Sequence, residues 1–157
     1  MKKILIAVDG SPSSLEALEF GLDLAAEEEA EALVAHVVPA IDTVPAAGFG
    51  MSHGAIVHEL SDEDRAPLDV AVELAAERGL AVTTKLLRGS TTRELTAYAD
   101  RQDVDLIVIG SRGHGALTTA LLGSVSLGVL RHTTRPVLIV RGHAATAAER
   151  PLAASVA

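Results

Sequence analysis

The chain contains the stretch Asp105-Leu-Ile-Val-Ile-Gly-Ser-Arg-Gly113, which is followed after nine residues by Gly123-Ser124. The apolar run from Leu106 to Ile109 has the length and composition of a buried strand, and it breaks at once into small and polar residues. Glycines in such a loop let backbone N–H groups approach an anion closely, and Gly123-Ser124 opens a short helix whose first N–H groups lack partners within the helix. The stretch therefore predicts an anion site at the end of a strand.

Strand and helix patterns alternate on both sides of this stretch. Strand patterns cover residues 3–8, 32–38, 80–87, 105–109 and 136–141, and helical patterns cover residues 12–29, 61–78, 92–102 and the segment after Gly123. Parallel strands need such crossovers, so we expect one parallel sheet with helices on both faces. If the loops after the first and fourth strands share a ligand, these strands are neighbours where the winding reverses. The prediction is an α/β fold with a five-stranded sheet in the order 3-2-1-4-5.

The chain is predicted to form one domain, residues 1–142, followed by a disordered tail, residues 143–157. A length of 157 residues with 48% hydrophobic residues fits a single core. The segment from 40 to 61 is expected to be irregular, since it combines Pro45 with three glycines. The first helix is predicted to have an apolar face made of Leu15, Leu18, Phe20, Leu22, Leu24 and Ala25.

Composition argues against two classes of partner. The chain has 21 acidic and 13 basic residues, a net charge of -8, and only three aromatic side chains, which disfavours nucleic acid. It has no run of about 18 apolar residues, so we expect no membrane span. The absence of cysteine is compatible with the cytosol, and we expect a cytoplasmic protein.

The familiar phosphate-binding patterns are missing. No Gly-x-x-x-x-Gly-Lys-Ser/Thr sequence is present, and Gly113-His-Gly115 lacks the third glycine of the dinucleotide fingerprint. The remaining signal is the spacing of residues that combine backbone donors, one positive charge and a hydroxyl, which suits a di- or triphosphate: Gly110, Arg112, Gly113, Gly123 and Ser124. An alternative is that the glycines only form turns and start a helix, and that Asp9 only caps the first helix.

No catalytic residue or protein-held metal is predicted. The six histidines are scattered, and none pairs with another at helical ligand spacing beside a carboxylate. His36 is interpreted as a histidine of a core strand. Ser124-Val-Ser126-Leu-Gly128 lacks the first glycine of the nucleophile pattern Gly-x-Ser-x-Gly.

Residues 2 to about 141 resemble the universal stress protein family. The resemblance lies in Ile4-Leu-Ile-Ala-Val-Asp9-Gly-Ser11, in Leu86-Leu-Arg-Gly89, in Asp105 to Gly115, and in the spacing Gly-x2-Gly-x9-Gly-Ser from Gly110 to Ser124. It implies a Rossmann-like fold that binds ATP, with Mg²⁺, without a Walker motif. It also implies a homodimer through the last strand, Pro136 to Arg141.

The same resemblance implies roles for individual residues. Asp9 would bind the ribose or adenine, with Gly10 beside it, and Val38 would contact adenine through its backbone. Gly110, Arg112 and Gly113 would line the phosphates. The phosphate site would be closed by Gly123, Ser124 and Val125.

Three functions remain open at this point. The first is a stress-response regulator that binds ATP and hydrolyses it slowly at most, because no residue is an obvious general base. The second is an ATP-dependent enzyme that uses Asp9 or His114. The third is a nucleotide-free, dimeric interaction module. The sequence does not distinguish ATP from ADP or a cyclic nucleotide as the ligand.

Overall fold

The computed structural model describes residues 1–42, 56–57, 60–112 and 122–141. The strands are β1 Lys3–Ala7, β2 Glu31–Val38, β3 Ile41–Asp42, β4 Ile56–Val57, β5 Val82–Arg88, β6 Leu106–Gly110 and β7 Val137–Val140. The helices are α1 Pro12–Glu27, α2 Asp62–Glu77, α3 Thr91–Gln102 and α4 Ser124–His132. In this part of the chain no helix is long and apolar enough to cross a bilayer.

The main sheet has five strands in the order β5-β2-β1-β6-β7, and every neighbouring pair is parallel. This confirms the predicted order 3-2-1-4-5. The central strand β1 has Leu5 opposite Leu33 of β2 on one side and Ile107 of β6 on the other. Chain winding therefore reverses between β1 and β6, which is where ligands bind in open α/β sheets.

Helices cover both faces of the sheet, as predicted. One face packs against α1 and α2 through Leu18, Leu22 and Leu68, and the other packs against α3 and α4 through Leu95 and Val129. All five side chains are at most 3% exposed. The strands β2, β1 and β6 are thus buried on both sides, which explains why they are nearly continuous apolar runs, whereas the edge strand β5 has exposed residues at alternate positions.

The start of α1 follows its sequence, but its apolar face differs from the prediction. Ser11 is the N-cap, with its hydroxyl oxygen 3.3 Å from the N–H of Ser14, and Pro12 is the first helical residue. Leu15 and Phe20, which were predicted to be buried, are 41% and 49% exposed. Gly21 lies inward instead, so close to the sheet that a Cβ there would be 2.7 Å from the Ile6 side chain. The helix therefore approaches β1 closely at Gly21.

One carboxylate joins the starts of two neighbouring strands. Asp105, just before β6, accepts hydrogen bonds from the backbone N–H groups of Lys2 and Lys3 at 2.6 and 2.9 Å. These two bonds hold the pKa of Asp105 below its ordinary value of 3.8. They fix β1 against β6 at the amino edge of the sheet, the edge opposite the strand ends where a ligand is expected.

One region differs from the predicted secondary structure, and another lies outside the described residues. In the segment expected to be irregular, β3 and β4 form an antiparallel pair with Ile41 opposite Val57. The pair is two residues long on each strand, too short to produce an alternating pattern in the sequence. The predicted tail, residues 143–157, lies outside the described residues.

Candidate nucleotide site

A cavity of about 360 Å³ lies at the carboxyl ends of β1, β2 and β6. This volume is within the range of small-molecule sites. Its described lining residues come from six elements or their adjoining loops: Ala7, Val8, Asp9, Ser14, Ala35, His36, Val37, Thr91, Leu95, Ile109, Gly110, Arg112, Gly123, Ser124, Val125 and Ser126. The cavity therefore collects residues that are more than 100 positions apart in the chain.

The floor of the cavity is apolar and built from small side chains. Ala7 lies opposite both Ala35 of β2 and Ile109 of β6. Two adjacent alanines leave room above the sheet, and Leu95 of α3 and Val125 of α4 also line this space. Such a slot suits a flat apolar group, with polar groups at its rim.

The turn between β1 and α1 supplies the acidic side of the cavity. The Asp9 carboxylate accepts a hydrogen bond from the Ser11 N–H at 2.9 Å, and the Asp9 N–H donates to the Ser14 hydroxyl at 3.2 Å. Asp9 also lines the cavity. The N-cap of α1 is Ser11, so the Asp9 carboxylate binds the N–H of the N-cap residue and does not itself cap the helix.

The loop after β6 is held tightly against the start of α1. A Cβ at Gly110 would be only 2.6 Å from the Ser13 carbonyl oxygen, so the backbone approach requires glycine. The Arg112 N–H lies 3.4 Å from the Ser13 hydroxyl oxygen, and the Ser11 hydroxyl lies 3.5 Å from the Arg112 carbonyl. These contacts place the backbone of Arg112 at the cavity wall.

A single backbone hydrogen bond brings the two glycine-bearing segments together. The Gly123 N–H donates to the Ser111 carbonyl at 2.7 Å, and the Ser126 hydroxyl donates to the Gly110 carbonyl at 2.8 Å. Gly123 is the N-cap of α4 and has no side chain to cap the helix. Residues Ser124 to Ser126 of the first turn of α4 line the cavity, so the partial positive charge of this helix N-terminus lies at the cavity wall.

Comparison with known proteins now identifies the family. A model of the universal stress protein family matches residues 1–141. The chain belongs to this family. Universal stress protein YxiE of Bacillus subtilis is 37% identical over 145 residues, which cover 88% of this chain and 98% of that protein.

Solved structures agree on the fold of this universal stress protein. A universal stress protein crystallised in complex with cAMP is 27% identical, with a TM-score of 0.63, and the match covers 88% of this chain and 95% of the other. The structure of MJ0577 has a TM-score of 0.71 at 23% identity, covering 89% and 95% of the two chains, and supports the fold alone.

The structure gathers six of the nine site residues predicted for a universal stress protein. The residues that line the cavity are Asp9, Gly110, Arg112, Gly123, Ser124 and Val125. Gly10 is exposed, has a φ of 79°, and is absent from the lining. Gly113 lies outside the described residues, as does His114.

Val38 is not at the cavity, and its neighbour Val37 is. The Val38 carbonyl accepts a hydrogen bond from the Gly89 N–H at 2.9 Å, so its backbone groups face β5. Backbone groups alternate in direction along a strand, and those of Val37 therefore face the β1 side. The ladder between β1 and β2 ends at Ala7 and Ala35, which leaves no strand opposite Val37. The residue that lines the cavity is therefore Val37, one position before the predicted Val38.

Sequence reasoning missed the other ten lining residues of this universal stress protein, and His36, Thr91 and Leu95 are among them. His36, interpreted as a core histidine, lines the cavity and has Nδ1 2.7 Å from the Val8 carbonyl oxygen. Thr91 and Leu95 reach the cavity from α3. The predicted strand order places the turn before α3 at the same sheet edge, and that was the available signal.

The described residues contain no group of three His, Asp or Glu side chains that could hold a metal ion. Asp9 is the one carboxylate among the lining residues that the structure describes, and Arg112 is the one fixed positive charge there. This arrangement is suited to recognising a ligand that carries its own anionic groups.

Proposed function

We propose that this chain binds an adenine nucleotide, ATP in particular, in the cavity and that occupancy of the site serves a regulatory role in the stress response. The observation that carries the proposal is the 2.7 Å hydrogen bond from the Gly123 N–H to the Ser111 carbonyl. It holds the loop after β6 beside the N-terminus of α4, so that Gly110, Arg112 and the first turn of α4 line one cavity. The cAMP complex of a 27% identical family member is consistent with this ligand class.

The base fits the apolar end of the cavity. Ala7 and Ala35 provide a flat floor, and the backbone of Val37 faces the space where β1 has ended. One N–H and one C=O on the same residue match the acceptor and donor on the Watson–Crick edge of adenine. Guanine would place its O6 acceptor against the Val37 carbonyl, so we propose selectivity for adenine.

The phosphates fit the opposite end of the cavity. We place them against the backbone of Gly110 and Gly123 and the first turn of α4, beside the charge of Arg112. Asp9 lies at the rim, where a carboxylate can accept hydrogen bonds from ribose hydroxyl groups. Mg²⁺ would be held mainly by the phosphates, as is usual for this ion, with Asp9 as the nearest described carboxylate.

Binding without efficient hydrolysis is the chemistry that these side chains favour. Among the described lining residues, Asp9 is already a hydrogen-bond acceptor for the Ser11 N–H, and His36 is within hydrogen-bond distance of the Val8 carbonyl. A general base must be placed to take a proton from the attacking water. We therefore propose regulation by occupancy of the site rather than by turnover.

The purified protein should carry an adenine nucleotide, or should take one up. We expect mass spectrometry of the protein, denatured after purification, to release ATP, ADP, AMP or a cyclic adenine nucleotide. We also expect added ATP at a hundred times its Kd to raise stability by about 2.7 kcal/mol, measured as a rise in Tm. Absence of any nucleotide together with an unchanged Tm would favour the nucleotide-free interaction module instead.

We further propose that β7 pairs with β7 of a second copy. In the described residues β7 has a neighbour only on its β6 side, and its four side chains are all partly buried aliphatics. Pro136 and Val140 accept hydrogen bonds from β6 or the residue after it, so the backbone groups of Val137 and Ile139 face outward. An apolar edge with outward donors and acceptors is a pairing surface.

Replacing Ile139 with proline should convert the dimer into a monomer. Proline removes the outward N–H but leaves the β6 side of the ladder intact, since proline is tolerated on edge strands. Light scattering should show the mass of one chain for Ile139→Pro and of two chains for the matched control Ile139→Val. A dimer that persists in a folded Ile139→Pro protein would place the interface elsewhere, and a monomeric unchanged protein would refute the pairing.

A further inference from the structure

We propose that the hydroxyl of Thr91 recognises the purine by a hydrogen bond to its N6–N7 edge, and that Thr91 is therefore a specificity-determining residue. This inference rests on the proposed binding of an adenine nucleotide. Thr91 is the first residue of α3 and lines the same cavity as Val37. It would supply a third polar contact to the base, beyond the donor and acceptor of the Val37 backbone.

The helix places Thr91 on the face of α3 that lines the cavity. Leu95, four residues later, is on the same helix face, is 2% exposed and also lines the cavity. Thr91 thus lies one helical turn before Leu95, which is a buried residue of the cavity wall. Its own side chain is partly buried, between the apolar slot and solvent.

The position of Thr91 is fixed by contacts on two sides. The turn before α3 is tied to β2 by the Gly89 N–H, which donates to the Val38 carbonyl at 2.9 Å. The next residue, Thr92, packs against α4 so closely that a Cβ at Gly128 would be 2.5 Å from the Thr92 hydroxyl oxygen. These contacts position the backbone of Thr91 at the cavity wall.

The Thr91 hydroxyl is available for a ligand. Within the described part of the chain it makes no hydrogen bond, whereas the cavity hydroxyls of Ser14 and Ser126 donate to the carbonyls of Ser11 and Gly110. A threonine hydroxyl can donate one hydrogen bond and accept two. It can therefore donate to N7 or accept from the N6 amino group of adenine, both of which lie on the edge next to the Watson–Crick groups.

The consequence is discrimination between bases. Pyrimidines lack the N7 acceptor, and guanine has an O6 acceptor in place of the N6 donor. A site that hydrogen-bonds a ligand group rejects analogues without that group, because its own polar atom then loses its partner. Thr91 and Val37 together would select adenine by three hydrogen bonds on two edges.

The test is a pair of isosteric and conservative variants measured with base analogues. Calorimetric titration should show that Thr91→Val binds ATP about fivefold more weakly, as expected for one lost hydrogen bond, and that Thr91→Ser binds within about twofold of the unchanged protein. The analogues are 7-deaza-ATP, which lacks N7, and purine riboside triphosphate, which lacks the N6 amino group. The loss caused by Thr91→Val should disappear with at least one of them.

Each outcome has a separate meaning. Equal loss with ATP and with both analogues, or no loss with ATP, would overturn the inference while leaving ATP binding in place. If Thr91→Val does not fold, judged by thermal unfolding, Thr91→Ala and Thr91→Ser give the same comparison without a branched replacement. Failure of the unchanged protein to bind any adenine nucleotide would refute the proposed function and this inference together.

Discussion

Replacing Gly123 with valine should abolish ATP binding without unfolding the domain. Gly123 has φ −63° and ψ 161°, an extended conformation that valine adopts readily, so the backbone at the start of α4 can persist. The branched side chain would, however, occupy space at the cavity wall where we place the phosphates. We expect at least a hundredfold rise in Kd, about 2.7 kcal/mol, measured by calorimetric titration.

The smaller variant Gly123→Ala is the matched control. It adds one methyl group to the same position and should weaken binding by less than valine does. Both proteins should unfold at a temperature close to that of the unchanged protein. Unchanged ATP affinity in a folded Gly123→Val protein would remove the phosphates from this end of the cavity.

Replacing Gly110 with alanine should destabilise the fold itself. The added Cβ would lie 2.6 Å from the Ser13 carbonyl oxygen and 2.7 Å from its carbon, and these are backbone atoms that no side-chain rotation can move. Relief requires α1 to shift away from β6. Overpacking of this kind costs roughly 1–3 kcal/mol. For a chain of this size, Tm should fall by about 2–12 °C in thermal unfolding.

Gly128→Ala is the informative comparison for Gly110→Ala. Its added Cβ would also be close, 2.5 Å from the Thr92 hydroxyl oxygen, but that atom belongs to a side chain that can rotate. Alanine also gains up to about 1 kcal/mol in helix propensity over glycine within α4. We expect a smaller loss of Tm than for Gly110→Ala. An equal loss in both variants would contradict the distinction between backbone and side-chain contacts.

Much of the architecture follows from the sequence because it depends on long-range regularities. Five apolar runs alternating with helical patterns require a parallel sheet, and a ligand shared by the loops at Asp9 and Gly110 requires β1 beside β6. Glycine spacing then brings Gly123 to the same edge. Each of these steps tolerates an error of one or two residues at an element boundary.

The parts that could not be predicted depend on single-residue register or on tertiary distance. The sequence analysis predicted Val38 as the β2 residue at the cavity, but the residue there is Val37. Backbone groups alternate in direction along a strand, so an error of one residue in the strand register turns them to the opposite side. In α1 the close approach to Ile6 is made by Gly21, and the neighbouring Phe20 is exposed. The hydrophobicity of the residues alone does not predict this arrangement. Thr91 is a turn residue by sequence, and the predicted strand order gives the sheet edge where it lies but not its distance from the cavity.

The central place of β1 has a consequence for how the chain is made. β1 can pair with β2 once residue 38 has been synthesised, but its other edge pairs with β6, residues 106–110. A nascent chain therefore presents an apolar strand edge to its surroundings until β6 has left the ribosome. Exposed edges of this kind invite association between chains, and parallel pairing across such sequence separation is slow. We expect the nascent protein to depend on chaperones between the synthesis of β2 and the synthesis of β6.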